Sequence, residues 1–140
     1  MTTETRESLG PHMMLDCYGC PKDKLADLDL VSSALGSLPA KIGLPGVLPP
    51  QVFRYTGQAA EDSGVSGIML GAEAHVSVHT FPEHGHAFID LFSLRDFDTE
   101  HARRALTEAF AATDHEVVLV SRGPEAPRRP LAGERPRIHH

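Results

Sequence analysis

Residues 64–94 restrict the fold more than any other part of the chain. Two apolar runs, 65–72 and 87–94, have strand length, and the segment between them, 75–80, reads as extended rather than helical. Helical patterning is confined to two other places. Pro21 opens a segment with Leu25, Leu28, Val31 and Leu35 at three- or four-residue steps and Gly36 near its end. Asp98 or Thr99 caps a second, with Ala102, Leu106, Ala109 and Phe110 on one face. Further strands are expected at 12–18, 52–55 and 116–121, with a Pro/Gly-rich link at 38–50 and a turn at 57–64 that holds Gln58, Glu61 and Asp62. The order β-α-β-β-β-α-β predicts an α+β fold: a two-layer sandwich with two helices on one face of a mainly antiparallel sheet. No internal repeat is evident.

A chain of 140 residues suits one domain with a real core. We place that domain at 10–123, after a flexible polar start at 1–9 and before a Pro/Arg-rich tail at 124–140 that has little to bury and is expected to be disordered. The formal charge of −6 is unevenly spread. Arg122, Arg128, Arg129, Arg135 and Arg137 face only Glu125 and Glu134 near the end, so the body is more acidic than the total. An acidic body argues against a nucleic-acid partner and tolerates a cationic small ligand, such as a sulfonium or an amine. No run approaches the roughly 20 apolar residues that span a bilayer. The first ten residues also lack a basic-then-apolar signal layout, so the expected location is the cytoplasm, with no membrane partner. Cys17 and Cys20 are expected as thiols, facing opposite sides of an extended segment.

Within 64–94 stand Gly64-Val65-Ser66-Gly67, Glu73-Ala74-His75 and Ser77-Val78-His79-Thr80-Phe81-Pro82-Glu83. His12 and Tyr18-Gly19-Cys20 lie upstream, and Arg122-Gly123 follows the last strand. Together these resemble, in order over residues 10–123, the bacterial S-adenosylmethionine decarboxylase family. That family reads Gly-Val-Ser-Gly, Glu-Ser-His, Ser-Ile-His-Thr-Trp-Pro-Glu, then a strand ending near Thr-Cys-Gly. The resemblance implies a chain that cuts itself between Glu and Ser. The serine hydroxyl attacks the preceding carbonyl, the ester eliminates, and a pyruvoyl group forms that later accepts electrons during decarboxylation. Here the serine position holds Ala74, whose methyl group has no oxygen to attack with. The family's proton-donating Cys aligns with Leu94, which has no proton to give. A Ser-to-Ala change made to trap a precursor accounts for Ala74 alone; two losses with one functional logic favour natural divergence. Phe81 replaces the usual Trp and keeps an aromatic surface.

The resemblance carries His79 and Ser66, which assist processing in the family, and Glu83 as retained positions. It also implies a ligand pocket containing Tyr55, Ser66, Ala74, His75 and His79, with Tyr55 aligned loosely to an adenine-stacking aromatic. His75, His79, His84 and His86 form a dense run of imidazoles that could hold a metal. His75, His79 and Glu83 already belong to the family pattern, which needs none. No pyruvoyl cofactor is expected. Three functions fit. The first is a binding or regulatory protein for S-adenosylmethionine or a related amine or amino acid, as a homodimer or paired with an active homologue. The second is a repurposed enzyme using His79, His75 and Glu83, with or without a metal. The third is a decarboxylase of polyamine synthesis held as an uncleaved precursor.

Overall fold

The computed structural model describes residues 10–124, so the expectations for 1–9 and for the tail past 124 lie outside the described residues. Six strands are present: β1 Gly10–Tyr18, β2 Gln51–Tyr55, β3 Gly64–Leu70, β4 Ala74–Phe81, β5 His86–Ser93 and β6 Asp114–Arg122. They form one sheet in the order β2-β3-β4-β5-β1-β6, with every neighbouring pair antiparallel. The α+β sandwich expected from the pattern is the architecture observed. One strand more lies between the helices than the expected order counted, because the extended segment around 75–80 is a full strand paired on both sides.

Three helices replace the two expected: α1 Lys22–Leu25, α2 Leu28–Ile42 and α3 Thr99–Ala109. The segment opened by Pro21 breaks at Ala26 and restarts when the Asp27 carboxylate accepts from the Leu30 N–H at 3.1 Å. Gly36 does not end α2. The buried stripe Val31, Leu35, Leu38, Ile42 runs on through Pro39, and Gly43, at φ 80°, closes it. Burial of Leu38 and Ile42 outweighs the local signal of Pro39, which sits in the last turn and interrupts few hydrogen bonds. The expected link at 38–50 is therefore shorter, and the turn at 57–64 holds one 3-10 turn, Ala60–Asp62.

The described helices all lie on one face of the sheet. Alternate residues of the strands point into that layer: Met13, Leu15 and Cys17; Val65 and Met69; Val76, Val78 and Thr80; Ala87, Ile89 and Leu91. Gly67 belongs to the same set, and a Cβ built there would lie 2.7 Å from Leu35 Cδ1, so α2 seats directly on β3. Cys17 and Cys20 both enter this core, contrary to the expected opposite facing. Gly19, at φ 65°, turns the chain so that Cys20 folds back, with its N–H donating to Gly85 O at 3.0 Å. No described helix is long and apolar enough to cross a membrane.

Candidate functional site

Among the described residues no helix lies over the other sheet face, and the strand register sorts its side chains into rows. One row runs Phe53, Ser66, His79, Phe88, Asp16, Glu116 across all six strands. The next runs Gln51, Ile68, Ser77, Asp90, Met14, Val118. A third continues through Leu70, His75, Phe92 and His12 to Val120. Phe53, Ile68, Leu70, Phe88 and Leu94 are exposed on this chain, an unusual density of apolar side chains for a solvent face.

In the first row the Ser66 and His79 side chains meet. Ser66 Oγ lies 2.8 Å from His79 Nδ1, so with the neutral imidazole proton on Nε2 the hydroxyl donates to Nδ1. The adjacent residues of the same two strands are tied behind this pair on the helix side. Thr80 Oγ1 accepts from the Val65 N–H at 3.0 Å and donates to Leu25 O at 2.8 Å, joining β3, β4 and α1 through one fully buried hydroxyl.

Ala74 is not beside this pair. It starts β4, five residues before His79, which places the two about 17 Å apart along an extended strand. It also has the opposite parity, and its methyl packs against the core below the sheet. Two backbone bonds fix the chain there: the Leu94 N–H donates to Glu73 O, and the Gly71 N–H donates to Ala74 O, both at 2.8 Å. Arg95 adds a 2.7 Å ion pair from Nε to Glu73 Oε1. Opposite Ala74 is Ser93, a buried hydroxyl that sequence reasoning passed over because it sits just before Leu94 in an apolar run. A pyruvoyl group of the family's kind originates from a serine of the chain itself. The methyl of Ala74 does not fit that origin. Leu94 stands at the strand end with its side chain half exposed.

The remaining expected site residues separate. His75 packs against the Phe92 ring, 5.7 Å away, one row beyond Ser77. Glu83 lies past the end of β4 and pairs with Lys22 at 2.5 Å. Tyr55 donates through its hydroxyl to Thr80 O at 3.1 Å and lines an edge cleft of about 300 Å³ with Lys22, Arg54, Pro82 and Glu83. Burial, with Asp62 nearby, pushes the Tyr55 phenol above its usual range. His84, in the β4–β5 turn, stacks on His86, at the start of β5, at 5.7 Å, and His86 meets Tyr18 edge-on at 5.0 Å. The four histidines of the expected metal set therefore point to three different places. Among the described residues no group of three or more His, Cys, Asp or Glu is placed to hold a metal ion. The spacing misled because the turn after β4 holds His84, while His86 opens β5 opposite Phe81, one row beyond His79.

A cavity that the sequence did not reveal opens on the uncovered face. It measures about 450 Å³ and is lined by Met14, Asp16, Phe88, Asp90, Glu116 and Val118. Three carboxylates ring an aromatic and two aliphatic surfaces, a lining suited to an organic cation. His12 Nε2 lies 3.6 Å from Asp90 Oδ1 at its border. These acids come from β1, β5 and β6, and only the sheet register brings them together. Burial raises the Cys17 thiol to about 12 and Cys20 to about 11, which keeps both protonated and chemically quiet.

Comparison with known proteins gives one answer. The family described as S-adenosylmethionine decarboxylase matches residues 11–123. An S-adenosylmethionine decarboxylase proenzyme of Bacillus velezensis is 31% identical over 84% of this chain and 88% of its own length. A second such proenzyme, from Halalkalibacterium halodurans, is 31% identical over 94% and 97%. One from Acidithiobacillus ferrooxidans is 34% identical over 83% and 84%. The crystal structure of the adenosylmethionine decarboxylase from Aquifex aeolicus superposes with a TM-score of 0.67 at 24% identity, covering 84% of this chain and 92% of that one, a likeness of fold.

Proposed function

The chain belongs to the S-adenosylmethionine decarboxylase family, and from that premise we propose that it is a member that does not cleave itself, forms no pyruvoyl group, and binds S-adenosylmethionine or a related amine. The observation that carries the ligand class is the acidic cavity between Asp16, Asp90 and Glu116. A sulfonium or ammonium group meets three carboxylates there, while Phe88 and Met14 take its apolar stem. The observation that carries the loss of self-cleavage is the pair Ala74 and Leu94. The first has no nucleophile, and the second has no acidic proton where the family keeps one. Its relatives are named proenzymes; this chain keeps their fold without that reacting hydroxyl.

The protein acts in this reading as a binding or regulatory subunit. A second copy of the chain, or an intact homologue, is the partner that fits the uncovered face. Packing at the end of that face that carries Ile68, Leu70 and Leu94 would remove these three side chains from water together and leave the Phe53–Phe88 row open. Titration calorimetry with S-adenosylmethionine, putrescine and spermidine tests the ligand class: heat from at least one, with a weaker affinity on mutation of Asp90, is the expected result. Silence with all three at millimolar concentration removes the proposal. Light scattering on the same sample gives the mass of the assembly, and a strict monomer removes the paired arrangement.

A further inference from the structure

We propose that Ser66 and His79 form a base-assisted nucleophile that takes short acyl groups from activated carboxylic esters, an activity distinct from decarboxylation and from amine binding. The central requirement of a serine nucleophile is a base within hydrogen-bond reach, because an isolated hydroxyl is too weakly acidic to attack a carbonyl. The 2.8 Å contact between Ser66 Oγ and His79 Nδ1 meets that requirement.

The pair is also held rigidly. Ser66 and His79 are directly opposite on β3 and β4, and the Thr80 hydroxyl clamps the neighbouring residue of each strand from below. Their surroundings define the substrate class. Phe53 and Phe88 flank the pair in the same cross-strand row, on either side, and both are exposed. No carboxylate adjoins His79 in that row until Asp16, beyond Phe88. An uncharged ester with a small acyl group and an aromatic leaving group therefore fits better than a charged one. Ser66 is 6% exposed while His79 is open to solvent, so the acyl group must be small and the base remains reachable.

In the step, the Ser66 oxygen forms a bond to the ester carbonyl carbon and its proton passes to His79 Nδ1. The carbon–oxygen bond to the leaving alcohol then breaks, and the alcohol departs with that proton. A water molecule afterwards gives a proton to the same nitrogen and its oxygen bonds to the acyl carbon; the bond from that carbon to Ser66 Oγ then breaks, Oγ takes the proton back from Nδ1, and the carboxylic acid leaves. Every atom is supplied by ester and water.

The test is p-nitrophenyl acetate as ester, with a fluorophosphonate as a probe that leaves a stable adduct, followed by peptide mass spectrometry. The expected result is modification at Ser66, absent in S66A, and slowed by about 100-fold or more in H79A and in H79Q. The solvent-facing serines of the same chain supply the background rate. Thermal melting of both His79 variants separates loss of the base from loss of the fold, and the amide of H79Q keeps a side chain able to accept from Ser66. Modification no faster at Ser66 than at the background serines overturns the proposal, as does an unchanged rate in either folded His79 variant. Calorimetry with amines is read separately, so failure here leaves amine binding standing, and failure there leaves the nucleophile standing.

Discussion

The Thr80 hydroxyl offers the sharpest check on how this sheet is held together. Thr80 has no exposed surface, and its Oγ1 accepts from the Val65 N–H, 15 residues away, and donates to the Leu25 carbonyl, 55 residues away, at 2.8 Å, with the Val65 carbonyl a longer alternative at 3.3 Å. Thr80→Val keeps the volume and shape and removes both hydrogen bonds. Each backbone group is then left buried without that partner, at about 1–3 kcal/mol apiece, so the expected loss is about 2–6 kcal/mol. That is a large share of the roughly 5–15 kcal/mol by which a domain is stable. Thr80→Ser keeps the oxygen and loses one methyl, about 0.8 kcal/mol. Urea unfolding of the three proteins, compared at a common slope, reads both numbers. Because Val65 and Thr80 adjoin Ser66 and His79, the valine variant should also slow modification of Ser66. A valine variant within 1 kcal/mol of the parent, or a serine variant worse than the valine one, refutes the reasoning.

Further outcomes are expected. Intact mass measurement should give a single unbroken chain that carbonyl reagents do not label; two fragments split between Glu73 and Ala74 would contradict the loss of self-cleavage. Asp90→Asn should weaken amine binding by up to about fivefold in calorimetry, the scale of one half-exposed ion pair; an unchanged affinity would move the ligand elsewhere. Gly67→Ala should cost about 1–3 kcal/mol in the same urea assay, because the new methyl meets Leu35 Cδ1 at 2.7 Å. Cys17 and Cys20, at about 12 and 11, should resist iodoacetamide at pH 8 in the folded protein and react once it unfolds. For both thiols the folded state keeps its proton where the unfolded chain has lost it. Their stabilisation is therefore complete below about pH 8.5 and declines as pH rises through 11 and 12.

Much of this fold is legible in the sequence, for identifiable reasons. The apolar runs 65–72 and 87–94 place β3 and β5, and the Asp98 cap places α3, because both signals are local. The first helical segment misreads where local cues compete: Asp27 restarts a helix that the apolar step alone would continue, and Leu38 and Ile42 carry α2 through Pro39. The family motif identifies Ser66 and His79, and the structure joins them. It does not convey that Ala74 faces the other side of the sheet, since a motif fixes order along the chain and not the parity of a strand. The acidic cavity is illegible for a related reason. Asp16, Asp90 and Glu116 are scattered through the sequence, and only antiparallel register makes them neighbours.

Roughly 17 Å of extended strand separates Ala74 from His79. A change at one end of β4 leaves the other end intact, so the absence of a hydroxyl at position 74 is compatible with a preserved Ser66–His79 contact.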